Sequence, residues 1–201
     1  PCPWQMSRGP VTSRSQLTSG CGGRGHVPLS VQVLGPDKMG GMPEVEETGT
    51  TFEANSLLKA HALHEIGDSD AWFLADDSGI EIDALDGRPG VISARYAGEP
   101  CDDEANNDKV LEEMREVSDC DRSCRFRCVL ALVGQDLEET FAGTCEGVLL
   151  PVRRGSRGFG YDPLFYIDDL GATAAELTEL QKNRLSHRAS AMRAAINYLV
   201  R

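Results

Sequence analysis

Ala71-Trp-Phe-Leu-Ala-Asp-Asp-Ser-Gly-Ile-Glu-Ile-Asp-Ala-Leu85 is the stretch of sequence that decides the fold. It begins with a short apolar run and ends with the alternating residues Ile80-Glu-Ile-Asp-Ala-Leu. Both patterns favour β-strands, and the Asp, Ser and Gly residues between them are common turn formers. We therefore predict a strand, an acidic turn at Asp76-Asp77-Ser78-Gly79, and a second strand.

A helix is predicted on the N-terminal side of this stretch. Thr50-Thr-Phe-Glu53 has the form of a capping box, and good helix formers follow it as far as Ile66, directly before Gly67. We expect the buried side of this helix to carry Leu58, Ala62 and Ile66.

Further helices are predicted on the C-terminal side. Residues 103–117 fit one helix, and the chain from Thr173 fits a helix that breaks near Leu185-Ser186 before a final helix begins. The expected inward residues of these two regions are Val110, Met114 and Val117 in the first, and Ala189, Met192, Ile196 and Leu199 in the last.

More strands are predicted between the helices. Residues 125–133 form a strongly apolar strand, residues 139–150 its antiparallel neighbour, and Leu164-Phe-Tyr-Ile a short strand further on. Helices and strands mix without a repeating βαβ unit. The predicted class is therefore mixed α/β, or α+β, rather than a strict doubly wound fold.

The first 29 residues differ from the rest of the chain. They are rich in Ser, Gly, Arg and Pro and have no apolar period, so they predict an irregular or disordered arm. We predict that residues 30–201 form a single domain, which is the usual outcome for a chain of 201 residues.

Composition excludes several classes of protein. With 40% hydrophobic and 26% charged residues, the chain has the composition of an ordinary globular protein. A net charge of −12 without a dense basic cluster argues against binding to DNA or RNA, and no apolar stretch is long enough for a membrane span. Seven cysteines are an odd number, and with no signal-peptide pattern they favour the cytoplasm over secretion.

Two segments carry acidic groups suited to chemistry. Two carboxylates and a hydroxyl in the predicted turn would suit Mg²⁺ bound together with a phosphate, although an ordinary hairpin turn is the alternative. Glu44, Glu46 and Glu47 precede the first helix and could equally be a solvated loop.

Three cysteines, Cys120, Cys124 and Cys128, are evenly spaced. We predict that they are small buried residues rather than ligands of a zinc site.

Two further segments suit a nucleotide. Ser186 is a natural N-cap, and His187-Arg188 behind it would suit a phosphate or a carbonyl oxygen, with a plain surface pair as the alternative. Gly158-Phe-Gly-Tyr-Asp162 could stack on a base or form a simple glycine-rich bend. Lys59 and Lys182 could meet phosphates or be solvated helix residues.

Several motifs, in their order and spacing, resemble the inosine triphosphate pyrophosphatase family from about Val33 to the C-terminus. The matching stretches are Glu46-Glu-Thr-Gly-Thr-Thr-Phe-Glu-Ala-Asn with Lys59, Ala75-Asp-Asp-Ser-Gly, Pro89-Gly-Val-Ile-Ser-Ala-Arg-Tyr, Gly158-Phe-Gly-Tyr-Asp-Pro, Ala174-Ala-Glu-Leu and Ser186-His-Arg.

The resemblance implies an elongated two-lobed mixed α/β fold around a central nucleotide cleft, a homodimer, and Mg²⁺-dependent hydrolysis of inosine or xanthosine triphosphate to monophosphate and pyrophosphate. It implies that Glu47 and Asp77 hold the metal and that Asp77 also accepts the proton of the attacking water. The implied substrate-binding residues are Lys59, Ser78, Phe159, Gly160, Tyr161, Asp162, Lys182, His187 and Arg188.

One motif of that family is missing from this sequence. The family opens with a strand and a loop of the type Thr-Gly-Asn-x-x-Lys that holds the triphosphate, whereas this chain has Thr18-Ser-Gly-Cys-Gly-Gly-Arg-Gly-His26. A change of reading frame is one hypothesis for the difference. Two other functions therefore stay open: a nucleotide-binding homologue with little or no activity, and a pyrophosphatase for other modified nucleotides.

Overall fold

The computed structural model describes residues 11–12, 32–35, 41 and 43–200. The α-helices are α1 (Phe52–Ile66), α2 (Asp103–Glu113), α3 (Glu179–Leu185) and α4 (His187–Leu199). The strands are β1 (Val11–Thr12), β2 (Gln32–Val33), β3 (Phe73–Ile82), β4 (Ser123–Gly134), β5 (Leu137–Leu149), β6 (Phe165–Ile167) and β7 (Ala172–Thr173). Short 3₁₀ helices span Asp83–Leu85, Gly90–Arg95, Asp119–Asp121 and Asp168–Leu170.

A five-stranded sheet in the order β3-β4-β5-β6-β7 organises the molecule. Every pairing described in it is antiparallel, and β4 and β5 form its long central hairpin, with Val133 opposite Glu138 near the turn. The helices pack on this sheet, which confirms the mixed α/β class and the predicted β4–β5 pairing. The expected arm over residues 1–29 lies outside the described residues, apart from β1, which pairs with β2.

The predicted acidic turn is wrong, because residues 76–79 lie in the middle of β3. The register with β4 continues without interruption from Asp76 opposite Leu130 to Gly79 opposite Arg127. Ladder hydrogen bonds and neighbouring apolar residues therefore override the turn preference of these residues. Gly79 marks a close approach instead, since a Cβ there would collide with Ser93 and the carbonyl of Gly90.

The first helix forms as predicted, but its cap and its buried face differ from the prediction. Thr51 rather than Thr50 is the N-cap, and its hydroxyl accepts a hydrogen bond from the amide of Ala54, so the predicted capping box does not form. Leu58 and Ile66 are 38% and 56% exposed. The residues buried on α1 are Phe52, Asn55, Ser56, Lys59, Ala60 and Leu63. Asn55 and Lys59 on that side contact Asp77 of β3, and these contacts fix the rotation of the helix.

The C-terminal helices also differ from the prediction in start and orientation. The first of them begins at Glu179, where Thr178 and Gln181 form a capping box, rather than near Thr173. On α4 the buried residues are His187, Ala191 and Ala195, while Met192 and Ile196 are 36% and 50% exposed. Small residues let α4 approach β5 closely, because a Cβ on Gly143 would meet backbone atoms of α4.

The predicted inward residues of the second helix are confirmed, but the helix is shorter than residues 103–117, because α2 ends at Glu113. Val110 of α2 and Met114 directly after it are fully buried in the main apolar cluster, and Val117, beyond the helix, packs against that cluster. Cys124 and Cys128 are buried and unpaired, as predicted, whereas Cys120 is exposed. In the described part of the chain, no group of three or more His, Cys, Asp or Glu residues is placed to hold a metal ion. Cys101 is disulfide-bonded, which the odd cysteine count did not predict. Within the described residues, no helix is long and apolar enough to cross a membrane.

Candidate functional site

The alternation of β3 divides the acidic segment between two faces of the sheet. Successive side chains of a strand point to opposite sides. Asp77 therefore faces α1, where it contacts Lys59, while Asp76 and Ser78 face α4, where both contact Arg188. The predicted turn would have kept these groups together, but in the structure each face of β3 has its own set of partners.

On the α1 face, one ammonium group joins two carboxylates. Nζ of Lys59 lies 2.8 Å from Oδ1 of Asp77 and 2.9 Å from Oε1 of Glu47, and it donates to the carbonyl oxygen of Asp76 at 3.1 Å. All three charged side chains are largely buried, with exposures of about a tenth. The structure thus brings together three of the residues predicted from the sequence.

Burial and pairing shift the pKa values of this cluster. Burial raises the pKa of the Asp77 carboxyl above its usual value, and the opposing effect of Lys59 only partly offsets it. Burial acts to lower the pKa of Lys59, but Asp77 and Glu47 outweigh it, so that pKa is raised overall. A carboxylate with a raised pKa is a better proton acceptor, which suits Asp77 for the role of a general base.

Asn55 belongs to this cluster, although the sequence analysis did not assign it a role. Its Nδ2 donates to Oδ2 of Asp77 at 3.3 Å, and its Oδ1 accepts from the amide of Gly49 at 2.8 Å. Asn55 therefore ties the loop that carries Glu47 to the carboxylate of β3. The four-residue spacing between Asn55 and Lys59 places both on one side of α1, which is the signal that could have identified it.

Arg95 is a second residue that the sequence analysis left without a role. It ends the 3₁₀ helix Gly90–Arg95, and its Nη1 lies 3.8 Å from Oε2 of Glu47. Its side chain is 35% exposed, so the guanidinium borders the cluster and still reaches solvent. An exposed Arg beside a carboxylate pair is well placed to meet a phosphate.

On the α4 face, Arg188 is held by two residues of β3. Its Nε donates to Oδ2 of Asp76 at 2.9 Å, and its Nη2 donates to Oγ of Ser78 at 2.6 Å. Ser186 caps α4 as predicted, because its hydroxyl accepts from the amide of Ala189 at 3.2 Å. The cap and the two contacts to β3 fix where the guanidinium lies.

His187 lies beneath Arg188 and is almost completely buried. Its ring stacks on Phe126 with the centroids 5.1 Å apart, and its Nε2 lies 3.3 Å from Nη1 of Arg188. Burial holds the pKa of His187 well below its usual value, and the charges of Arg188 and Lys182 lower it further. The imidazole is therefore neutral at physiological pH.

The Phe159–Asp162 loop adds an aromatic ring and a second charge pair. Oδ2 of Asp162 accepts from the amide of Phe159 at 2.9 Å and forms an ion pair with Lys182, whose ammonium lies 4.9 Å from the centre of the Phe159 ring. Tyr161 is fully buried and donates to the carbonyl of Ser93, so Phe159 is the exposed ring of this loop.

Helix α2 fixes the middle of this loop, which the sequence analysis did not predict. The amide of Gly160 donates to Oδ2 of Asp103 at 2.7 Å, and its carbonyl accepts from Nδ2 of Asn107 at 2.9 Å. The backbone amide and carbonyl of Gly160 are thus both hydrogen-bonded to α2, which holds the loop in one conformation.

Known proteins resemble this chain over most of its length. A family model described as the Ham1 family matches residues 25–198. A dITP/XTP pyrophosphatase of Oceanobacillus iheyensis is 52% identical over 152 residues, covering 75% of this chain and 76% of the relative. A protein of the same name from Desulforamulus reducens is 44% identical over 196 residues, covering 97% and 92%.

A solved structure shows the same fold. The Ham1 protein of Staphylococcus aureus superposes with a TM-score of 0.74 at 42% identity, over 78% of this chain and 80% of that protein. The family model spans most of the chain, including β3, the Phe159–Asp162 loop and the start of α4. This chain therefore belongs to the Ham1 family.

Proposed function

We propose that this chain hydrolyses non-standard purine nucleoside triphosphates, namely inosine, deoxyinosine and xanthosine triphosphate, to the monophosphate and pyrophosphate. The observation that carries the proposal is that the two faces of β3 hold different groups. Asp77 pairs with the ammonium of Lys59 on one face, and Asp76 holds the guanidinium of Arg188 on the other. The first arrangement suits phosphate chemistry and the second suits recognition of a base. Relatives named dITP/XTP pyrophosphatase support the choice of substrate.

The acidic cluster fits Mg²⁺. Oxygens of Glu47 and Asp77 converge on one position where a cation is favourable, since Nζ of Lys59 lies within 2.9 Å of both. Two carboxylates completed by substrate phosphates and water are a usual set of Mg²⁺ ligands. Glu47 and Asp77 would hold the ion, and its charge would neutralise the negative charge that develops on the phosphates.

In the proposed reaction, a water molecule attacks the α-phosphorus and the bond from that phosphorus to the bridging oxygen breaks, so pyrophosphate leaves. Asp77 accepts the proton of the water, while Asn55 and Lys59 hold the carboxylate in place. Lys59 and Arg95 supply positive charge to the phosphates.

Base recognition is assigned to the other face of the sheet. Phe159 would stack on the purine, and the donors of Arg188 and Lys182 would meet the carbonyl oxygen at position 6 of hypoxanthine or xanthine. His187 supports Arg188 from below and remains a predicted contact of the base. Adenine has an amino group at position 6, so these donors would be left unpaired, which is the kind of mismatch that gives strong discrimination.

We further propose that the protein acts as a homodimer in the cytoplasm. The support for the dimer is the resemblance stated above. The support for the cytoplasm is the four free cysteines among the described residues, and the disulfide at Cys101 counts against it. The net charge of −12 supports a small nucleotide, rather than DNA or RNA, as the partner.

A second function is favoured by one specific observation. The sequence lacks the Thr-Gly-Asn-x-x-Lys loop, so the chain could bind nucleotides without turning them over. In that case Mg²⁺-dependent binding of inosine triphosphate would occur without release of pyrophosphate.

Release of pyrophosphate from inosine, xanthosine, guanosine, adenosine and thymidine triphosphates, with and without Mg²⁺, tests both functions. We expect release from the first two substrates only when Mg²⁺ is present. Binding without release would favour the non-catalytic function, and faster release from a pyrimidine or guanine nucleotide would replace the proposed substrate.

A further inference from the structure

Asp76 is a buried carboxylate that the proposed chemistry does not use. Its side chain is 11% exposed, and the partner of its carboxylate among the described residues is the guanidinium of Arg188. A carboxylate is costly to bury unless a partner compensates for the lost hydration. The pairing of Asp76 with Arg188 therefore calls for a functional explanation.

The location of Arg188 makes a partner necessary. Arg188 is the second residue of α4, where the helix dipole is positive and disfavours a cation. Without Asp76, the hydroxyl of Ser78 would be the remaining contact of β3 that holds the long Arg188 side chain away from solvent.

The contacts also set the orientation of the guanidinium. Asp76 and Ser78 are two residues apart on β3, so they lie on the same face and contact Nε and Nη2 along one side of the group. Nη1 lies beside His187. Arginine has about five N–H donors in a planar fork, and these contacts with described residues leave the others available to a ligand.

We infer that Asp76 is a positioning residue that sets base selectivity by holding Arg188 in place against Ser78. The inference rests on the proposed function, in which Arg188 recognises the 6-oxo group of the purine. Two neighbouring aspartates thus have separate tasks: Asp77 serves the phosphate chemistry on one face of β3, and Asp76 serves recognition on the other.

Substitution Asp76→Asn tests the inference, with Asp83→Asn as the matched control. Asp83 follows β3 directly and pairs with Arg125 through two hydrogen bonds of 2.8 and 3.0 Å, but on the exposed surface. Two measurements are made on each variant: the equilibrium affinity for inosine and adenosine monophosphates without Mg²⁺, and kcat and KM for the two triphosphates.

We expect Asp76→Asn to weaken binding of inosine monophosphate by about 10- to 100-fold, since a charge-assisted contact is lost. The selectivity for inosine over adenosine should fall with it. For inosine triphosphate the loss should appear in KM, with kcat within about threefold of the parent, because phosphate chemistry lies on the other face. Asp76→Glu should recover part of the selectivity, and Asp83→Asn should match the parent.

Two additional variants separate positioning from simple stability. Ser78→Ala removes the other contact of β3 with Arg188 and leaves the buried charge pair intact, so it should reduce selectivity in the same direction but less. In an Arg188→Gln background, Asp76→Asn should change selectivity little further, because the two residues act through one interaction.

An unchanged ratio of inosine to adenosine affinity in Asp76→Asn and Ser78→Ala would overturn the inference, as would an equal fall in kcat for both triphosphates. The proposed function fails separately, if the parent chain releases no pyrophosphate. The monophosphate affinities do not depend on turnover, so they still decide the role of Asp76 in that case.

Discussion

At the scale of single residues, the site depends on which face of β3 each side chain occupies. Asp77 contacts Lys59 and Asn55, whereas its two sequence neighbours contact Arg188. A shift of one residue in the register of β3 would exchange these faces and separate every charge from its partner. The continuous pairing with β4 is therefore as important to the site as the side chains themselves.

Asp77→Asn should abolish most turnover. The amide has nearly the shape of the carboxylate but cannot accept the proton of water or hold a cation as well, so we expect kcat to fall by about 10²- to 10⁴-fold. Pyrophosphate release from inosine triphosphate measures this, and Asp83→Asn serves as the surface control. Parent-like kcat in a folded Asp77→Asn variant would show that another group is the base.

His187 should make the fold sensitive to acid. Burial lowers the pKa of His187 in the folded protein well below its ordinary value of about 6.5, so the unfolded chain takes up a proton that the folded chain excludes. The stability from the neutral ring is present above about pH 6.5 and is lost as pH falls, by about 1.4 kcal/mol per pH unit. Urea unfolding between pH 7.5 and 5 measures it.

The comparison for this prediction is His187→Gln, which cannot take up a proton in that range. The difference in unfolding free energy between parent and variant should shrink as pH falls. If the unfolding free energies of parent and variant change in parallel down to pH 5, the loss of stability at low pH does not come from burial of a neutral His187.

At the scale of elements, the close packing of α4 on the β4–β5 hairpin brings Arg188, the proposed recognition residue, to β3. The contact uses small residues: Gly143 on the strand, and Ala191 and Ala195 on the helix, both almost completely buried. Ser186 is both the C-cap of α3 and the N-cap of α4, so the chain changes direction at this residue, directly before His187. Helix packing distance and cap together place Arg188 against Asp76.

Gly143→Ala should destabilise the protein and disturb recognition. An added methyl group would collide with the carbonyl of His187 and the amide of Ala191, so α4 must move. We expect a loss of about 1–3 kcal/mol in unfolding free energy, as for other overpacked sites. Thermal or urea unfolding measures it, together with the selectivity for inosine over adenosine nucleotides.

Ala142→Ser is the control for this substitution, because Ala142 is the preceding residue of β5 and is exposed. It should leave both stability and selectivity near those of the parent. A Gly143→Ala protein as stable and selective as the parent would mean that α4 does not need this close approach.

At the scale of the whole molecule, the site is assembled from distant parts of the sequence. The loop before α1, the centre of β3, the loop before β6 and the start of α4 each contribute one piece. The phosphates of the proposed substrate would be held by Lys59 and Arg95, without the Thr-Gly-Asn-x-x-Lys loop that the resemblance implies.

We therefore expect weak binding of the triphosphate. Replacing Thr18-Ser-Gly-Cys-Gly-Gly23 by a loop of the type Thr-Gly-Asn-x-x-Lys should lower the KM for inosine triphosphate by about 10- to 100-fold, the effect of gaining a charge-assisted phosphate contact. An equal KM in the parent and the loop variant would show that the loop is not required here.

The sequence alone determined much of the fold. The alternating and apolar segments identified β4, β5 and the two ends of β3, and the spacing of Val110, Met114 and Val117 identified the residues buried by α2 and the segment after it. These predictions succeed because apolar periodicity reflects burial directly. Linear motifs likewise nominated most of the candidate site residues, because each motif keeps its residue types together along the chain, but Asn55 and Arg95 were left without a role.

Only the tertiary structure decided how those residues are arranged. The turn preference of residues 76–79 gave way to pairing with β4, and α1 rotated to bury Asn55 and Lys59 in place of Leu58 and Ile66. Local propensity cannot predict either outcome, because both depend on groups that are distant in sequence: a neighbouring strand in one case and buried carboxylates in the other. The separation of Asp76 from Asp77 onto opposite faces follows from the first of these long-range contacts.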